Sequence, residues 1–161
     1  MTAMGAALGL SAHYAHLAGA KARAGHFAEA RELIDRAKTL VVATGERYYE
    51  PEIHRLDAEV VLAEAGAHGT PSDARERAEA LLRTAIECAS RQRARTLELR
   101  TMTALARVAG RGAKGGHVRG RLAELLATFT EGCDALDLQE ARRVIEEQPR
   151  KPTLAKSGKG R

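Results

Sequence analysis

The sequence predicts an all-α chain of about seven helices, arranged as antiparallel pairs stacked into a right-handed superhelix, and three observations carry this. Ala, Leu, Glu and Arg lead the composition, and all four favour helix. Aromatic residues make up only 3% and Trp is absent, so the residues that suit strands are thin. Apolar residues recur at intervals of three and four through most of the first 147 positions, which is the helical period.

Punctuation divides this run into elements. A first helix over 5–24 ends at Gly25, and a second over 27–43 ends at Thr44-Gly45. The third, 48–66, gives way to the turn-forming stretch from Gly66 to Thr70. A fourth, 72–92, follows: Thr70 is placed to cap it, Pro71 takes the first helical position, where a missing N–H is harmless, and Asp73 lies near the exposed amides. The fifth covers 95–110. The Gly-rich segment 110–116 reads as a flexible loop before a sixth helix over 117–130. Asp137 and Glu140 stand at capping-box spacing and open a last helix, 137–147. Glu32/Arg36, Asp73/Arg77, Glu79/Arg83 and Glu87/Arg91 fall at i,i+4 with the acid first, and read as solvated helix faces.

The formal charge of +5 has a location. Residues 149–161 hold Arg150, Lys151, Lys156, Lys159 and Arg161 without an acid, leaving 21 basic and 21 acidic residues in the rest. With two prolines, two glycines and one Leu, 148–161 cannot offset the entropy of ordering and is expected to be a disordered basic tail behind a single helical domain, 1–147. No stretch approaches the ~20 apolar residues that span a bilayer, and the N-terminus lacks a charged signal-peptide region. A cytoplasmic protein without membrane contact is expected.

A repeat underlies the periodicity. Ala30, Ile34 and Ala37 share their spacing with Ala78, Leu82 and Ala85 and with Val118, Leu122 and Leu125. Ala18 precedes Ala30 by twelve positions, as Ala106 precedes Val118, and each follows a Leu. The middle pair, Ala58 and Ala78, fits with eight extra loop residues. Small residues facing each other let antiparallel helices approach at the short end of the ~8–10 Å interaxial range, and stacked pairs then share one core. Tyr14, Leu17, Ala18, Gly25, Phe27, Ala30, Ile34 and Ala37 resemble the tetratricopeptide (TPR) motif in order, with Lys21 as a departure where a large residue is usual. The pairs are then 5–43, 48–92 and 95–130, with 137–147 as the closing helix.

Segments 46–66, 81–108 and 129–147 resemble something narrower. Glu50 with Glu52-Ile53-His54-Arg55-Leu56, Ser90-Arg91-Gln92 with Leu97-Glu98-Leu99-Arg100, Leu105-Ala106-Arg107 and Phe129-Thr130-Glu131-Gly132 look like the TPR-like C-terminal region of bacterial class III adenylate/guanylate cyclase and AAA/STAND ATPase signalling proteins. VAGRGAKGGHVRG departs from that pattern after Arg107 and implies a weakened sixth helix. The resemblance implies a truncated or stand-alone scaffold for protein–protein contacts, without the cyclase or ATPase parts.

No catalytic, cofactor-binding or metal-ligating set is expected. GRGAKGG lacks the order of a phosphate loop and follows a helix rather than a strand. His13 and His16 at i,i+3 have no third ligand, and Tyr14 to Leu17 read as core. Cys88 and Cys133 have no Cys or His at ligand spacing and read as reduced core thiols. Glu50, Glu52 and Glu59 are salt-linked surface groups in reach of Arg47 and Arg55 rather than an acid/base dyad. The expected function is non-catalytic binding of a protein or peptide, with the first helix of each pair lining the groove. Around Ala58 and Ala106 the lining is Arg55, Glu59, Arg100, Thr103 and Arg107, with the three arginines as donors to an acidic segment. The alternative is polyanion or nucleic-acid binding through the tail and the Arg91–Arg100 region, against which stand the neutral body and the scarcity of aromatics. The apolar side of 5–24, with no capping helix before it, is expected to support self-association.

Overall fold

The computed structural model describes residues 9–69, 71–110, 112–132 and 134–147. The proposed cap Thr70, the second thiol Cys133 and the basic tail lie outside them. The described residues form seven α-helices and no strand: α1 Leu10–Arg23, α2 Phe27–Thr44, α3 Glu50–His68, α4 Pro71–Arg91, α5 Arg95–Ala109, α6 Ala113–Leu126 and α7 Leu136–Glu146. The all-α, seven-helix expectation holds. None of these helices is long and apolar enough to cross a membrane.

Two helices end in the same turn by different chemistry. After α1, Gly25 takes φ 83°, its N–H bonds to Ala22 O, and the next N–H, of His26, returns to Lys21 O at 2.9 Å. That is the Schellman closure, which needs a left-handed residue and favours glycine. After α4 the same two bonds recur, Arg93 N to Ser90 O and Ala94 N to Ala89 O, but the left-handed residue is Arg93, at φ 56°. Three residues therefore suffice to reverse the chain at each place.

Packing runs between partners in a pair (α1 with α2, α3 with α4, α5 with α6), between successive first helices (α1 with α3, α3 with α5, α5 with α7) and from each second helix to the next element (α2 with α3, α4 with α5, α6 with α7). The facing small residues are where the repeat places them. Ala18 and Ala30 are fully buried in one cluster with Ile34, Ala37, Ile53 and Leu56, and Ala58 and Ala78 are buried in another with Leu82 and Leu105. At Gly19 the approach of α1 to α3 is so close that an added Cβ would sit 3.1 Å from Leu56 Cδ2. A third cluster joins Leu99, Met102 and Ala106 of α5 to Leu122 of α6 and to Leu138, Ala141 and Val144 of α7. Each large side chain in these clusters stabilises the fold by roughly 1.5–3 kcal/mol through burial.

Several expectations need correction. Leu17 is not core but 46% exposed. The segment 113–116 is not loop: α6 begins at Ala113, and Gly115 is buried against the Gly110 carbonyl. Asp137 and Glu140 do not cap α7, whose N-cap Ala135 makes no side-chain bond; both carboxylates go to arginines of α5. Glu79 is a buried acid rather than part of a solvated face, and Arg91 turns to Cys88 Sγ instead of Glu87.

Candidate functional site

Arg55 and Glu59 stand one turn apart on α3, and Arg100, Thr103 and Arg107 share one face of α5 by their spacing of three and four. The structure brings all five to one cleft of about 180 Å³, closed by Asp137 and Glu140 of α7. The centre of this cleft is an ion network. Arg55 grips Glu52 through two bonds, Nε to Oε2 at 2.9 Å and Nη2 to Oε1 at 2.8 Å, and reaches Glu59 Oε1 with Nη1 at 2.5 Å. Arg100 donates to both Asp137 oxygens, at 3.1 and 2.6 Å, and touches Glu52 Oε1 at 3.3 Å. Arg107 pairs with Glu140.

Burial makes this network structural. The Glu52 side chain is 3% exposed and that of Arg55 12%. Burial alone would raise the Glu52 pKa, but the hydrogen bonds and charge of Arg55, with Arg100 and His16 behind them, hold it below the usual carboxylate value. Burial likewise opposes the charge on Arg55, and Glu52 and Glu59 outweigh it and raise its pKa. Asp137, then Glu52, keep Arg100 charged. The Thr103 hydroxyl is spent on Leu99 O at 2.8 Å. The cleft thus carries three guanidiniums and four carboxylates, and the acidic groups facing its arginines come from the chain itself. The sequence grouped these five residues and linked Glu52 to Arg55, but it read Glu52 as a surface group, whereas it is buried, and it missed Asp137 and Glu140 as partners. The i,i+3 spacing of Glu52 and Arg55 was a usable signal; that of Asp137 pointed to a cap instead.

The opposite face of α5 borders a second cleft, of about 450 Å³, between α4, α5 and α6. Ile86, Met102, Leu105 and Val118 form its apolar walls. Arg83, Lys114, His117 and Arg121 rim it, with Glu87 as the one acid in the lining. Arg83 and Lys114 converge on Glu79, whose side chain is 6% exposed. Burial pushes that carboxyl up, and the bonds from Lys114 and Arg83 outweigh it, so its pKa falls below the ordinary value. Arg121 and His117 are exposed and enter no ion pair among the described residues. The sequence hid this cleft because Lys114 and His117 belong to the segment read as loop and helix start. The backbone contact at Gly115 is what extends α6 across it.

The remaining candidates disperse. His13 is exposed and its Nδ1 lies 2.7 Å from Gly9 O; His16 is exposed as well. The arginines of the Arg91–Arg100 region do not point together: Arg91 rests on Cys88 Sγ, Arg95 donates to the Thr128 hydroxyl at 2.5 Å, and Arg100 belongs to the α3–α5–α7 network. The inner side of α1 is taken up by Ala12, Ala15, Ala18 and Ala22, all buried, which leaves Leu17 as its exposed large apolar residue. Among the described residues one cluster with metal-ligand chemistry does form, from Glu50, His54 and Cys88, whose ligand atoms lie within 4.8 Å of one another. Spacing could not reveal it, since Cys88 comes from a different helix. No protein-family model matches this sequence, and neither does any curated protein or solved structure.

Proposed function

We propose that this chain is a non-catalytic, TPR-like repeat module that holds a protein or peptide partner, and that the partner is an amphipathic segment with acidic groups. The observation that carries the reading is the cleft between α4, α5 and α6, where an apolar floor of about four side chains is edged by Arg83, Lys114, Arg121 and His117, the last two without an ion pair among the described residues. Apolar side chains of the partner would displace water from Ile86, Met102, Leu105 and Val118, and its carboxylates would meet the rim. The groove first inferred at Arg55, Arg100 and Arg107 is the weaker docking place. An incoming acid there must displace Glu52, Asp137 or Glu140, and a buried, bidentate pair yields little on exchange. Arg107 is its most exchangeable donor, since half of its side chain is exposed. Such a scaffolding role is also the one implied by the resemblance to the C-terminal regions of cyclase and ATPase signalling proteins.

Affinity capture from native lysate separates the readings. A partner retained by Arg107→Glu and lost with both Arg121→Glu and Val118→Asp supports the α4–α6 cleft. Loss with Arg107→Glu alone moves the site to the α3–α5–α7 groove. Loss on deleting residues 149–161, together with release of nucleic acid, establishes the polyanion alternative, and capture indifferent to every variant sinks the proposal.

A further inference from the structure

Glu50 is the first residue of α3 and His54 stands one turn later on the same face, while Cys88 lies near the end of the antiparallel α4. A carboxylate oxygen, an imidazole nitrogen and a thiol sulfur therefore meet within 4.8 Å. On the ring of this cluster, Nδ1 of His54 is buried without a hydrogen-bond partner. Buried ring nitrogens are normally satisfied, so an orphan beside a thiol and a carboxylate calls for a ligand. We propose that Glu50, His54 and Cys88 bind a single Zn²⁺ ion, with His54 ligating through Nδ1, Cys88 as thiolate and solvent in the fourth position.

The donor set selects the metal. Calcium and magnesium take oxygen ligands, whereas a thiolate with an imidazole and one carboxylate suits zinc. Tetrahedral zinc, with bonds of about 2.0–2.3 Å, holds its ligand atoms roughly 3.5 Å apart. Loading therefore draws the three ligand atoms together from within 4.8 Å to that distance. Loading transfers the Cys88 thiol proton to solvent and leaves the sulfur lone pair on the metal. Arg91 Nη2, 3.0 Å from Sγ, is positioned to donate a hydrogen bond to the thiolate. Arg47 is the group to move aside: it touches both Glu50 oxygens at 3.4 Å, but its side chain is 65% exposed. Glu50 and His54 are half-buried, which leaves an approach for the ion.

The test is titration of the full, reduced chain with Co²⁺, followed by displacement with Zn²⁺. One equivalent of Co²⁺ is expected, with a sulfur-to-cobalt charge-transfer band that Zn²⁺ removes. Cys88→Ser should abolish the band and Cys133→Ser should keep it. His54→Ala and Glu50→Gln, checked for native helicity by circular dichroism, should each weaken Zn²⁺ binding more than tenfold. The proposal is overturned if the wild-type chain shows no band, if the band survives Cys88→Ser, or if neither His54→Ala nor Glu50→Gln changes the affinity. Glu50→Gln keeps the test decisive should the more buried variants fail to fold.

Discussion

At the scale of single residues the decisive feature is Glu52, an acid buried at the centre of three helices. Its two oxygens serve Arg55 and Arg100 together, so it links α3 to α5, and through Asp137 to α7. Removing one partner of such a pair strands a buried charge, which costs about 3–5 kcal/mol, whereas replacing both with apolar residues of similar volume is close to neutral. Glu52→Ala is therefore expected to lower the unfolding midpoint in urea by an amount corresponding to ~3–5 kcal/mol. The double change Glu52→Met with Arg55→Met should recover most of that loss. A double variant no more stable than Glu52→Ala would show that packing, not the stranded guanidinium, sets the cost.

At the scale of elements, α6 and the turn after α4 each rest on one residue. Ala usually stabilises an exposed helix position relative to Gly by about 0.5–1 kcal/mol, because it loses less backbone freedom on folding. Gly116 has open space around its α-carbon, so Gly116→Ala should gain that amount. Gly115→Ala should do the reverse, because its Cβ would collide with the Gly110 carbonyl oxygen, which already accepts a bond from Arg119 Nη1 at 2.7 Å. A destabilisation of roughly 1–3 kcal/mol is expected, as for overpacked sites. Denaturant unfolding of the two variants side by side checks both signs at once. In the turn after α4, Arg93 holds a conformation that side chains rarely adopt. Arg93→Gly is expected to stabilise the chain by up to ~1 kcal/mol, read as a higher melting temperature, since glycine is at ease there and the two closing bonds are unchanged.

At the scale of the whole molecule, stability is spread along an array of neighbouring contacts, and ion networks join its layers. Glu79 gathers Arg75, Arg83 and Lys114 and so ties α4 to the start of α6. Its folded pKa lies below that of the unfolded chain, so its contribution is complete above the ordinary carboxylate value of about 4.3 and is lost as the pH falls through the folded value. Thermal melts from pH 7 to pH 3 are expected to show a decline that begins only as the pH falls to about 4.3. Glu79→Gln should be less stable at pH 7 and show a shallower decline, while parallel curves for the two chains would exclude Glu79 as a contributor.

What the sequence by itself determined follows from local physics. Helix-forming composition, a period of three to four, glycine at the turns and alanine at the facing positions act within one helix or one pair, so the seven helices and the close contacts at Ala18/Ala30 and Ala58/Ala78 were legible. Even the five residues of the α3–α5–α7 cleft could be grouped, because each helix face repeats every turn. What only the tertiary structure decided is which charge meets which. Glu52 and Arg100 are 48 positions apart, and Arg100 and Asp137 are 37. Cys88 joins Glu50 and His54 from the facing helix. Such partners are chosen by how helices stack and by the cost of leaving a buried polar group unpaired, and neither acts through sequence spacing. The contact at Gly115 is of the same kind: a glycine that reads locally as a loop signal is, in the folded chain, the place where a helix must touch backbone.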